Sequence, residues 1–376
     1  MGFVLGYSQK EITPQVPITM AGYQPTREAI AIHDPLFLRC ILIKDNQKDE
    51  ITALISYDLI GVDHLLIDRI KKLCQEERIT INHFVLSATH THSGPAGVVN
   101  TMIGPLKDMS GFFGTPQLPL INQIAQITVE AIKESMAQWH HFRMEVIQTT
   151  FNNIGSIRED KTSATDPHIF MVRFLLDNSK LLLLYHFACQ ASVLGKMNNK
   201  LSADFPGAVL THNRTHEMVM FLNGNAGNIN TKTFTKSDTY EQLDEFGRQI
   251  AYEMNILLKH PDYIGELNKF EVRKYQIDLK RKQVDSYTNI KETMTISYQI
   301  IHLNDTVLIT LPVEMTSDVM KNLKEEKQVE CICYTNGYDL IMTSTESFEL
   351  NRYEALMSPF QKGEAEKLIA HIQQNI

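Results

Sequence analysis

The stretch HFVLSATHTHSGP, residues 83–95, runs an apolar strand into a turn and sets two histidines at the junction. Residues 83–89 are rich in β-formers and apolar almost throughout, so they read as a strand covered on both faces. Ser93-Gly94-Pro95 breaks it. In extended backbone His90 and His92 point to the same side. Binding residues are common at such strand ends, and an H-x-H pair of neutral imidazoles suits Zn²⁺, Cu or Fe. Two solvated or capping histidines would be spelled the same way.

The same strand signature recurs at 36–43, 51–57, 169–176, 180–188, 218–223 and 306–312. Between these runs, apolar residues fall at helical spacing over 63–78, 120–139 and 240–258. A last helix is expected near the C-terminus, with Ser358 as N-cap and Pro359 at the first position. Residues 268–303 read as a charged hairpin with one solvated face. The pattern predicts an α/β fold: mixed sheets flanked by helices, layered αββα-like, in one large domain over 1–376.

Composition narrows the function. With 36 Lys and Arg against 44 Asp and Glu, the formal net charge is -8. That argues against avid binding to nucleic acid or anionic membrane. No apolar run approaches the roughly 20 residues of a transmembrane helix. Five scattered cysteines fit a reducing compartment better than a disulfide framework. With no signal-peptide pattern at the start, a cytoplasmic protein is expected. Cys331 and Cys333, in ECICY, read as strand residues.

Three further residues have the right chemistry. His186 ends the strand KLLLLYHFA, where a histidine is either a ligand or simply hydrogen-bonded. Glu314, in LPVE, is placed near the start of a helix, as a dipole charge or as the carboxylate of a His₂Glu catalytic zinc set. Asp204, in LSADFPG, is either an N-cap or a carboxylate that orients an imidazole. The loop LNGNAGNIN, 222–230, follows another strand, and Gly224 and Gly227 allow close backbone approach. It lacks the Lys-Ser/Thr of a phosphate loop. The segment 98–120 carries Met102, Leu106, Met109, Phe112 and Phe113 among Gly and Pro, and reads as an apolar lid or as core filling under a long loop.

Taken in order, GYSQKEITP, IHDPLFLRCILI, SATHTHSGP, HFACQASVLG, LSADFPG, NGNAGNIN, LPVE and NGYD…FELNRYEA resemble the neutral/alkaline non-lysosomal ceramidases, a family of zinc amidases. The resemblance runs along nearly the whole chain, and His-Thr-His-Ser-Gly-Pro is its most specific piece. It implies one Zn²⁺ held by His90, His186 and Glu314. It also implies that Tyr353 polarises the substrate carbonyl, that Arg158 helps hold substrate, and that His92 lines the pocket. Three departures stand out. The family's glycine loop carries an Asp and a Ser where this chain has Asn228 and Asn230, which can only position groups by hydrogen bonding. A family tyrosine ligand is matched by Ile341. Finally, the resemblance covers the catalytic domain alone, so a C-terminal β-domain is not expected.

The resulting expectation is a zinc-dependent hydrolase that cleaves an amide bond with metal-activated water. His92 is the first choice of general base and Asp204 the second, while Tyr353 is the oxyanion donor. The substrate is a small-molecule amide, with an apolar acyl chain if the 98–120 segment is a lid. Two alternatives remain: an esterase or lactonase on the same fold, and an inactive ceramidase-like binding protein.

Overall fold

The computed structural model describes residues 2–151, 155–158, 165–232, 234–282, 292–327 and 329–376. Three sheets carry the fold. The first orders its strands Phe3–Glu11, Phe37–Asp45, Glu50–Tyr57 and His83–Ala88; only the last pair is parallel. The second orders Met218–Asn223, Leu181–Phe187, His168–Leu176, Phe142–Thr150 and Tyr263–Gly265, with the first pair parallel. The third contains the expected hairpin, Phe270–Lys280 against Thr293–Leu303, followed by Thr306–Thr310 and Val329–Ile332. The turn of that hairpin lies outside the described residues.

Strand alternation sorts the side chains into layers. Leu5, Ile41, Ile43 and Val85 of the first sheet meet Val172, Phe174 and Leu184 of the second in a sheet-on-sheet core. The opposite face of the first sheet, with Cys40, Leu42 and Ile55, is covered by helices His64–Glu76 and Leu118–Ala137. The far face of the second sheet, with Tyr185, Phe187 and Phe221, is covered by helices Phe205–His212 and Tyr240–Leu257. The fold is thus α/β with mixed sheets between helices. All seven strands and three helices expected from the apolar pattern are present, with ends shifted by a few residues. All five cysteines are buried and free; Cys331 lies in a strand as expected, whereas Cys333 falls just past the end of that strand, Val329–Ile332. Among the described residues, no helix is long and apolar enough to cross a membrane.

Two local expectations are corrected. The last helix is Glu364–Gln373, capped by Gly363 at φ +88, not a helix beginning at Pro359. Residues 358–361 instead run extended beside the hairpin: Lys282 N–H donates to Pro359 O and Gln361 N–H to Lys280 O. Glu314 does not start a helix either. It lies in the two-residue strand Glu314–Met315, paired in parallel with Ile341–Met342, and the helix begins at Ser317.

Candidate active site

The strand His83–Ala88 ends at the bottom of a cavity of about 70 Å³. His90, His92, Arg158, Gln190, Glu314, Tyr338 and Tyr353 line it, with Met109, Phe112, Phe113, Leu340, Ile341 and Met357 as apolar walls. His90 and Leu340 hold positive φ, +64 and +63, in the left-handed region that non-glycine residues seldom occupy. Such conformations cluster where surrounding structure fixes a functional side chain.

His90 is almost fully buried, and its Nδ1 is 2.7 Å from Ile60 O. With that carbonyl accepting the Nδ1 proton, the Nε2 lone pair faces the cavity. His92 Nε2 lies 3.2 Å from His90 Nε2, and Glu314 Oε2 lies 3.6 Å from it. Burial lowers the pKa of both histidines; Glu314 opposes the shift at His90, whereas His90, Arg27 and Arg158 deepen it at His92. The Tyr334 ring stacks on His90 with centroids 4.2 Å apart. Tyr338 donates its hydroxyl to Glu314 Oε1, and burial, with Glu314 beside it, keeps that phenol protonated. Two glycines make the approach possible. A Cβ on Gly22, at φ +98, would fall 2.7 Å from the His92 ring, and one on Gly227 would fall 2.7 Å from Glu314 O. Gly227 therefore admits the backbone that carries Glu314, not a ligand.

Arg158 donates to Glu354 Oε1 at 2.5 Å, to Gln190 Oε1 at 3.3 Å and to Gly227 O at 3.4 Å. Its guanidinium carbon lies 4.8 Å from the centre of the Tyr353 ring, within cation–π range. Tyr353 is 39% exposed and begins the helix Tyr353–Met357. Burial raises its pKa, with Arg158 opposing.

Several expected residues sit elsewhere. His186 does not join His90 and Glu314. Its Nδ1 is 2.9 Å from Leu222 O and its Nε2 is 3.5 Å from Glu330 Oε2. Glu330 belongs to a buried network in which Lys324 bonds Asp166 at 2.6 Å and Glu330 at 3.3 Å. The cavity wall is formed by the loop beyond the strand, so Gln190, four residues on, lines it instead. Asp204 does not line the cavity either. It caps the helix Phe205–His212 and accepts N–H bonds from Val193, Leu194 and Phe205. That role satisfies the carboxylate and removes it as a base. Asn228 Oδ1 accepts from Ser317 N–H and its carbonyl accepts from Arg158 N–H, whereas Asn230 Oδ1 accepts from Lys232 N–H. Neither asparagine lines the cavity. The strand Ile229–Asn230 pairs with Ser156–Ile157 and, with the Asn228 carbonyl, places Arg158. Sequence reading did not single out Gln190 and Glu354, although they lie in the quoted stretches HFACQASVLG and FELNRYEA.

Among the described residues, no group of three or more His, Cys, Asp or Glu side chains is arranged to hold a metal ion by itself. His90 Nε2 and Glu314 Oε2, however, are separated by 3.6 Å. That is close to the spacing of two ligands each about 2.0–2.2 Å from one zinc ion. The Tyr338 phenol, the Gln190 amide and the His92 imidazole share the same small cavity. His90 and Glu314 thus have the spacing of two zinc ligands, one fewer than the three protein ligands of a catalytic zinc site.

Comparison with known proteins agrees with this class of fold. Two solved structures match over 97% of this chain: one titled "Ceramidase complexed with C2", with TM-score 0.81, 14% identity and 73% of that chain covered, and the neutral ceramidase from Pseudomonas aeruginosa, with TM-score 0.82, 15% identity and 72% covered. A search of curated proteins gives no match. The model of the neutral/alkaline non-lysosomal ceramidase N-terminal domain matches residues 3–220, more than half of the chain, and the protein belongs to that family.

Proposed function

We propose that this protein is a zinc-dependent hydrolase of small amides. The observation that carries the reading is the convergence of His90, Glu314, Tyr353 and Arg158 on one cavity whose lining, among the described residues, contains no Ser, Thr or Cys. With no Ser, Thr or Cys in that lining, and with both tyrosine hydroxyls kept protonated by burial, water is the nucleophile in this reading and no acyl-enzyme forms. His90 and Glu314 would hold the ion, with Tyr338, Gln190 and His92 beside it. Such an ion polarises a carbonyl and lowers the pKa of water at the site toward about 7.

The chain's own groups do the rest. His92, held neutral by burial, takes a proton at Nε2. Tyr353 donates its hydroxyl to the carbonyl oxygen as charge develops there, a contribution of roughly 3 kcal/mol for one well-placed donor. Arg158 fixes the Tyr353 ring, and Glu354 fixes Arg158.

The test is a panel of N-acyl amides and matched esters offered to zinc-loaded protein, to chelated protein, and to protein reloaded with zinc. Amide hydrolysis should vanish on chelation and return with zinc. Cleavage of esters alone would move the reaction class to an esterase or lactonase. Inert amides and esters together would point to a binding protein.

A further inference from the structure

A second cavity, of about 280 Å³, lies between the segment 98–120 and the hairpin of Phe270–Lys280 and Thr293–Leu303. Its lining shares only Tyr338 with that of the active-site cavity. The apolar wall is Ile103, Leu106, Met294 and Pro312. Most of the polar side chains around it are already engaged. Asp63 accepts N–H bonds from Leu65 and Asn100. Asn336 accepts from Leu86 N–H and donates to Phe84 O and Gln299. Thr295 Oγ1 donates to Asp278 at 2.5 Å, and Ser297 Oγ accepts from Gln276 Nε2 at 3.0 Å.

Two charged residues of the lining, Asp339 and Arg281, are not engaged in this way. Their hydrogen bonds run through the backbone: Asp339 N–H donates to Pro312 O, Arg281 N–H donates to Glu292 O, and Arg281 O accepts from Gln361 Nε2. Among the described residues, no hydrogen bond or ion pair joins the Asp339 carboxyl or the Arg281 guanidinium to another side chain. Burial pushes that carboxyl up to about 7, with His64 and Arg281 opposing and Asp63 adding to the shift. All three of these neighbours line the cavity, which sets the carboxyl on the cavity side. An anion and a cation thus border one cavity without pairing, beside an apolar wall. Charged groups inside a protein are costly until they are paired, and a guanidinium pairs best with a planar carboxylate. The complement of this arrangement is a small molecule with both charges and an apolar group.

We infer that this cavity binds a free α-amino acid with an apolar side chain, its ammonium on Asp339, its carboxylate on Arg281 and its side chain against Leu106 and Met294. The site is separate from the catalytic reading and stands or falls without it.

The experiment is calorimetry on the full chain with leucine, leucinamide, N-acetyl-leucine and glycine. Leucine should bind once per chain. Leucinamide lacks the carboxylate, N-acetyl-leucine the ammonium and glycine the apolar group, so each should bind at least tenfold more weakly. Asp339→Asn should weaken leucine at least tenfold and abolish the preference for leucine over N-acetyl-leucine. Arg281→Met should do the same for the preference over leucinamide. These paired losses are not what a general loss of folding would give, and the comparison of ligands on the unmodified chain needs no variant. Leucinamide or N-acetyl-leucine bound as tightly as leucine would overturn the two-charge recognition. Leucine bound undiminished by both variants would overturn its placement in this cavity. No binding of leucine at millimolar concentration would overturn the inference itself.

Discussion

Arg158 touches Glu354, Gln190, the Gly227 carbonyl and the face of Tyr353 from one position. A change at any of these residues is therefore felt at the Tyr353 hydroxyl. Tyr353→Phe should lower kcat by roughly 10²–10³ with little change in KM, because the donor acts on charge that develops in the transition state. Unchanged turnover on a good substrate would exclude that role. Glu354→Gln acts one step further back: it leaves the hydroxyl in place but loosens the guanidinium. It should raise KM more than it lowers kcat, with roughly a tenfold loss in kcat/KM. Combined with Arg158→Met, the cost should fall short of the sum of the two, as residues in one network do not add. The sequence exposes Arg158 and Tyr353 only through family likeness. Glu354 and Gln190 lie within the same family-like stretches, but their link to Arg158 is not legible there, since Glu354 lies 196 residues from Arg158 and Gln190 lies 32 away. A glutamine in an apolar loop carries no chemical signal until the fold turns it inward.

At the scale of elements, Asp204 ties the loop at Val193 and Leu194 to the helix Phe205–His212. Burial pushes its carboxyl from 3.8 up to about 6, with the three backbone N–H groups opposing. The folded state therefore binds this proton more tightly than the unfolded chain. The stability that follows is fully present below about pH 4 and is lost as pH rises through about 6. Asp204→Asn should remove that pH dependence, and should also weaken the fold by about 1 kcal/mol because an amide nitrogen meets a backbone N–H. Denaturant melts of both proteins between pH 4 and 7 check this, and parallel profiles would contradict it. Elements defined by apolar periodicity were legible in the sequence, as at Leu66, Ile67 and Ile70. Where tertiary pairing overrides local preference they were not: Ser358-Pro359 has the spelling of a helix start, yet the hairpin edge takes those residues into extended pairing. His186 was misplaced for a related reason. It ends a strand as His90 follows one, but the path of the next four residues decides which side chain reaches the cavity.

At the scale of the whole molecule, the cavity lies where three stretches distant in sequence meet: the end of His83–Ala88, the loop beyond Leu181–Phe187, and the paired strands Glu314–Met315 and Ile341–Met342. The layers hold these ends in register. Phe221, packed on Tyr185, Phe187 and Phe205, joins the second sheet to its helices. Phe221→Ala should cost about 3–5 kcal/mol of stability, a loss read from urea melts. We propose, centrally, that His90 and Glu314 hold a zinc ion and that His186 does not. The most direct measurement is zinc stoichiometry by elemental analysis in His90→Gln, Glu314→Gln and His186→Gln, each confirmed folded by near-ultraviolet circular dichroism. The first two should lose the ion, and His186→Gln should keep one zinc per chain. A folded His186→Gln protein without zinc, or a folded Glu314→Gln protein that retains it, would contradict the account.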